Sequence, residues 1–409
     1  MTGEDPAPLS VDQARAAIAA IVRPITEVET VAPMAALDRV LAHDVVSPID
    51  VPAHDNAAMD GYALRFDDLS GETRLPVAGR ALAGSPFAGS LPASQALRIM
   101  TGAVLPAGAD TVVPQEAVRR DGPAVVIPPG QRRGQHCRRR GEDLARGATA
   151  LPVGRRLQPA DLGLLASLGL AMVPVRRRAR VALLSSGDEL LAPGAPPAAG
   201  RIYDSNRPAL AALLQRLGVA VADLGVVPDR PDALAAALAA AAADGADAII
   251  SSGGVSVGDA DHTRAALAQV GSVGFHRVAM RPGRPVAFGR IGNACYFGLP
   301  GNPVAAMVTF LFLVRDALAQ LTGAAPPRLP VIRALAAEPL HKRPGRTEYQ
   351  RGVLSRRADG SYDVRTTGDQ GSGVLRSMSE ADGIIVLEEA RGDVAVGGWV
   401  DVVPFVGLL

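Results

Sequence analysis

The sequence predicts an α/β multidomain protein: a central αβα sandwich with a mostly parallel sheet, an inserted β-rich domain, an elongated N-terminal helical/β domain and a C-terminal β domain. Three observations carry this. Strand-like and helix-like stretches alternate from Arg178 to about Leu321, the order that right-handed crossovers lay out as a parallel sheet covered on both faces. The segments before and after break into short apolar pieces punctuated by glycine and proline, a β texture. At 409 residues the chain is too long for one hydrophobic core.

In chain order, Ser10 followed by Gln13 has capping-box spacing, and the Ala/Ile pattern to Val22 predicts a first helix. From Val51 to about Gly141, pieces such as Leu75-Pro76-Val77, Leu97-Arg98-Ile99-Met100 and Ala124-Val125-Val126-Ile127 predict a small β domain. Pro159 in a first turn and Gly169 past the end bracket a second helix. Beyond Arg176-Arg177-Arg178, strands are expected at Val181 to Leu184, Val219 to Val227, Asp247 to Ser251, Pro285 to Phe288 and Cys295 to Leu299. Helices are expected between them at Pro208 to Leu217, Pro231 to Ala243 and His262 to Val270, and after them at Pro303 to Leu321. After Ala324-Ala325-Pro326-Pro327 the chain returns to strand-like runs such as Gly383 to Leu387. The expected domains are 1–48 with 143–177, 49–142, 178–325 and 326–409.

Composition narrows the function. Hydrophobic residues at 48% and charged residues at 20% argue against disorder, and a net charge of +1 rules out a generally basic nucleic-acid binder. Only one of the 42 basic residues is a lysine, Lys342, and it sits in no G-x-x-x-x-G-K-[ST], so there is no P-loop. A Schiff base would need Lys342 itself, and its neighbours His341 and Arg343 give no sign of the desolvation that lowers an amine pKa. Cys137 and Cys295 form no paired motif, which fits a reducing cytoplasm, and no histidine spacing suits zinc. The acidic N-terminus is unlike a signal peptide, and the apolar run Pro303 to Val314 is too short to span a bilayer. A cytoplasmic protein with small-molecule partners, and neither nucleic acid nor membrane, is expected.

Ligands of open α/β sheets bind beyond the carboxyl ends of the strands. There this sequence places Ser185-Ser186-Gly187-Asp188-Glu189, Pro228-Asp229, the loop Gly253 to Asp261, and Pro300-Gly301-Asn302-Pro303. The Gly253 to Gly258 loop precedes a helix, so its backbone N–H groups can cradle a phosphate; paired glycines also simply permit a tight turn. It is not G-x-G-x-x-G, which removes support for a nicotinamide or flavin site. Glu189, Asp229 and Asp261 at one edge would repel unless a hard cation such as Mg²⁺ held them, although single acids also serve as caps and turn formers. Arg277, Arg281 and Arg284 can grip a tetrahedral oxyanion, or form a solvated charge run.

Asn56 to Ala63, Met100-Thr101-Gly102-Ala103, Ser186 to Leu190, Ser252 to Asp261 and Gly298 to Pro303 resemble, in this order, the motifs of the molybdopterin molybdenumtransferase family, MoeA, to which the gephyrin E domain also belongs. The resemblance implies a homodimer with an active site shared between subunits. Molybdenum from molybdate would be inserted into adenylylated molybdopterin with Mg²⁺-dependent release of AMP. Matched to the family motifs, Asp60, Thr101, Glu189, Asp229 and Asp261 are the implied catalytic positions, the last three also as metal ligands. Gly253, Gly254, Ser256, Gly258, Arg277, Arg281, Pro300, Pro303, Arg351 and Ser372 are the implied substrate-binding positions. Arg277 and Arg281 stand where relatives often have lysine. Asp60 and Thr101 show no evident partner within their own domain, as contacts reaching across a dimer would. A transient contact with the molybdopterin adenylyltransferase is also implied. Two other readings remain: that adenylyltransferase activity itself, on a related α/β domain, and a scaffold of the gephyrin type, which need not keep the acid set.

Overall fold

The computed structural model describes residues 7–254, 260–326, 328–406 and 408, without the side chains of 260–262. The chain divides into two compact units: Met1–Glu29, Asp38–Val40 and Val175–Leu409 form one, Thr30–Leu37 and Leu41–Pro174 the other. Helix α1 (Val11–Ile21) opens the larger unit with the capping box that Ser10 and Gln13 predict: each side chain accepts from the other's backbone N–H.

The smaller unit is built on β1 (Gly61–Leu64), β2 (Thr73–Ala81), β3 (Ala96–Ile99), β4 (Thr111–Pro114), β5 (Arg119–Asp121) and β6 (Ala124–Ile127), in the order β4-β1-β3-β2-β6-β5. Helix α2 (Pro159–Ser167) starts on its proline, as expected. Many exposed arginines here stitch loops locally: Arg139 pairs with Asp55, Arg140 with Asp50 and Arg133 with Asp110.

In the larger unit β7 (Arg180–Ser186), α3 (Asn206–Arg216), β8 (Ala220–Val227), α4 (Pro231–Ala243), β9 (Ala248–Ser252), α5 (Ala260–Val270), β10 (Gly271–Arg277), β11 (Pro285–Ile291), β12 (Ala294–Leu299) and a long helix α6 (Pro303–Leu321) follow one another. The sheet order is β8-β7-β9-β12-β11-β10. β8, β7, β9 and β12 are parallel; β11 runs antiparallel to β12, and β10 antiparallel to β11. β10 was not among the strands the sequence predicts. Its glycines, Gly271 and Gly274, weaken the local signal, and the strand exists because β11 pairs with it along its length. Helix α6 contains a π turn at Phe310–Val314. At 19 residues and mean hydropathy 1.7 it exceeds the short run read from sequence, yet 78% of its apolar window is buried inside the protein, so it is a core helix.

The chain ends in β13 (Ile332–Ala336), β14 (Thr347–Arg356), β15 (Tyr362–Thr366), α7 (Arg376–Glu380), β16 (Gly383–Leu387) and β17 (Trp399–Pro404). The strands pair in the order β14-β15-β13-β17-β16, and β16 pairs back to β14, closing a five-stranded barrel that leaves no free edge. One apolar core joins α1, the central sheet, α6 and the barrel residues Tyr349, Ile384 and Val403. This shared core fixes the barrel against the α/β layer. Lys342 corrects the sequence reading: it is 4% exposed, its Nζ donates to the carbonyls of Arg343, Glu389 and Arg391, and burial lowers its pKa. Enclosed by carbonyl oxygens, it braces the barrel rather than acting as a nucleophile.

Candidate active site

The carboxyl ends of β7, β9 and β12 meet around Gly253. A Cβ on Gly253, at φ +98°, would fall 2.3 Å from the Ser186 carbonyl oxygen, and one on Gly254, at φ +69°, would fall 2.5 Å from Thr263 Oγ1. The Gly253 N–H donates to the Leu299 carbonyl at 3.1 Å, and a Cβ on Gly301 would come within 3.8 Å of the Gly253 Cα. Gly253 is thus required by close approach to main chain as well as by backbone conformation, and Gly254 chiefly by its positive φ. Ser256 and Gly258 lie outside the described residues, as does the Asp261 side chain.

The acidic edge is open. Asp229 accepts from Ser186 Oγ at 3.3 Å, and its own N–H donates to Asp188 Oδ1 at 3.2 Å. Asp188 therefore caps the turn that carries Asp229. Glu189 is exposed, and its carboxylate folds back over Gly187, where an added Cβ would lie 2.5 Å from Oε2. Neither Glu189 nor Asp229 pairs with a cation among the described residues, and no group of three metal-ligating side chains forms among them. Oxygen-only donors on neighbouring strand ends do fit the hard ion Mg²⁺.

The basic side is a cavity of about 460 Å³ lined by Arg281, Pro282, Pro300, Gly301, Asn302, Gln370 and Ser372, among others. Its walls are knit by short bonds. Asn206 Nδ2 donates to Ser252 Oγ at 2.8 Å and to the Gly301 carbonyl at 2.7 Å. Asn302 Nδ2 donates to Ser372 Oγ at 3.0 Å, and the Val304 N–H donates to the Ser372 carbonyl. Met280 and Arg281 pair with Thr347 and Glu348 of β14, so backbone pairing carries Arg281 to the barrel, where Nη1 lies 3.4 Å from Glu348. A second cavity of about 270 Å³ shares Arg281, Pro282 and Gln370 and adds Glu348, Gln350 and Arg351.

Arg351 is 1% exposed. Its Nε donates to Ser377 Oγ, and Nη2 donates to the carbonyls of Gly371 and, more distantly, Asp369; burial pushes its pKa down to about 10. It shapes the Gln370–Ser372 wall from behind. Arg277 pairs with Pro285 at the end of β10 and is not in the lining of the 460 Å³ cavity; Pro303 is the first residue of α6 and does not line it either.

In the smaller unit, the expectation that Asp60 and Thr101 have no partner within their own domain is overturned. The Thr101 hydroxyl and N–H both donate to Asp60 Oδ1, at 2.7 and 2.8 Å, and these bonds, the hydroxyl's first, hold the Asp60 carboxyl below its ordinary pKa. The two residues form one pre-paired unit, with Thr101 exposed and Asp60 half-buried. Sequence reading missed Asn206, Glu348 and Gln370. Asn206 looks like one more polar residue at a helix start, and Glu348 like one more polar strand residue, so neither carried a local signal.

These features define an α/β protein with an arginine-lined cavity at its strand ends and a barrel docked beside it. Residues 9–169 match the MoeA N-terminal region (domain I and II), 182–320 a probable molybdopterin binding domain, and 333–405 the MoeA C-terminal region (domain IV). The chain belongs to the molybdopterin molybdenumtransferase (MoeA) family of transferases. It is 43% identical to the molybdopterin molybdenumtransferase of Haemophilus influenzae over 98% of this chain and 100% of that protein. It is 39% identical to molybdopterin molybdenumtransferase 2 of Mycobacterium tuberculosis over 88% and 90%. A molybdopterin biosynthesis MoeA protein of Pyrococcus horikoshii superposes with TM-score 0.85 at 26% identity, covering 98% of this chain and all of that one.

Proposed function

We propose that this protein acts in molybdenum cofactor biosynthesis, inserting molybdenum from molybdate into adenylylated molybdopterin with Mg²⁺-dependent release of AMP. The observation that carries the reading is the convergence of Arg281, Ser372 and the Pro300–Asn302 turn on one cavity. A tetrahedral dianion suits a guanidinium beside a hydroxyl and backbone donors. The Gly253–Gly254 turn lies beside Gly301 and gives the phosphate end of the substrate a close approach to backbone.

In this reading Arg281 binds the molybdate oxygens, and Ser372, fixed by Asn302, orients them. Glu189, Asp229 and Asp261 would hold Mg²⁺, which supplies neutralising charge for the phosphoanhydride. Water cleaves the phosphoanhydride, AMP leaves, and the two dithiolene thiols ligate molybdenum while their protons depart with one molybdate oxygen as water. Ser186 keeps Asp229 oriented toward the strand ends. Asp60 and Thr101 act from a second copy of the chain in a homodimer, where their pre-paired side chains meet the substrate. The decisive experiment incubates the purified protein with adenylyl-molybdopterin, molybdate and Mg²⁺ and follows AMP. Molybdate-dependent AMP release is expected; its absence from folded protein overturns the reading.

A further inference from the structure

Among the described residues, Glu348 is the one carboxylate lining either cavity beside Arg281. Its side chain is 5% exposed against 56% for Arg281. The contact between them is a single one of 3.4 Å to Nη1, far from a two-point fork, and Gln350 Nε2 donates to the other carboxylate oxygen at 3.2 Å. The position of Glu348 is imposed by backbone: Arg281 is opposite Glu348 in the parallel pairing, and the Thr347 N–H donates to the Ala279 carbonyl at 2.9 Å. A buried negative charge is thus built in beside the guanidinium that faces the cavity.

We propose that Glu348 sets the affinity of the oxyanion held at Arg281: it steadies the guanidinium by one edge while its charge opposes the incoming dianion, so that the anion is held weakly enough to be passed on. This rests on the oxyanion reading given above. Two negative charges on the ligand feel Glu348 twice as strongly as one. Gln is nearly the same shape and can still accept from Nη1, so Glu348→Gln removes the charge and keeps the contact.

The test is equilibrium binding of molybdate, and of the similar but singly charged perrhenate, to the full-length protein without nucleotide substrate. Wild type should bind molybdate, and Arg281→Ala should lose at least about tenfold in affinity. Glu348→Gln should bind molybdate about tenfold tighter and perrhenate only about threefold tighter, with slower molybdate release. Unchanged or weaker molybdate binding, or equal gains for both anions, overturns the role of Glu348. If wild type binds no molybdate, or Arg281→Ala binds as wild type does, the oxyanion reading itself fails. Should Glu348→Gln not fold, the exchange Glu348→Gln with Gln350→Glu keeps a buried amide–carboxylate pair while moving the charge. It should tighten molybdate in the same direction by less, and weaker or unchanged binding overturns the proposal equally.

Discussion

The two sides of the strand-end crevice are held in different ways. On the acidic side, Asp188, Glu189 and Asp229 sit on exposed or half-exposed loops joined by bonds of 3.2 and 3.3 Å. On the basic side, Asn206, Asn302 and Arg351 fasten the cavity wall through contacts of 2.7 to 3.0 Å, two of them buried. Ligands for a solvated cation tolerate adjustment as the ion arrives. An oxyanion pocket works by preorganisation, since donors that need not move do not pay reorganisation at the reacting centre. Within the basic side the same contrast recurs between two arginines: Arg281 is exposed and tethered at one edge, and Arg351 is enclosed.

The comparison breaks first at Arg351. If it is scaffold, Arg351→Ala removes the buried donor shared by the Ser377 hydroxyl and the carbonyls of Gly371 and Asp369 and should cost about 3 kcal/mol in urea unfolding; a loss confined to activity, with stability intact, would make it a substrate contact instead. Gly253→Ala comes next, at about 2 kcal/mol, because a Cβ there meets main chain that cannot step aside. Gly254→Ala should cost less, since Thr263 Oγ1 can rotate away; equal losses in thermal denaturation would refute that ordering. Arg281→Ala should leave the melting temperature within a degree or two and lower molybdate-dependent AMP release by about tenfold or more.

The smallest effect sharpens the picture at Asp60. Its carboxyl pKa is depressed in the folded protein, chiefly by the Thr101 hydroxyl. The bond is therefore fully present above the ordinary value of 3.8 and is lost as pH falls below it through the folded value. Thr101→Val should move the Asp60 titration upward in a carboxyl NMR experiment while the Thr101 N–H contact persists. A titration that does not move would show the hydroxyl bond to be absent in solution.

Much of the strand-end geometry was legible because it is local. Gly253-Gly254, Pro303 at a helix start and the Ser10/Gln13 box each announce a turn or cap within a few residues. Arg281 was legible as chemistry and Ser372 only through the family resemblance, and neither as a neighbour of the other. The amino-acid sequence by itself determined the alternation that makes the parallel sheet, the glycines at its crevice, and the ordered motifs that mark the family. Tertiary structure alone decided that Arg281 would face Glu348, 67 residues away, that Asn206 would clamp Gly301, 95 residues away, and that Lys342 would end in a cage of carbonyls. Periodicity and turn chemistry act over one or two turns of chain. The partner of a buried charge is chosen by which distant backbone closes beside it, and that choice leaves no trace in local composition.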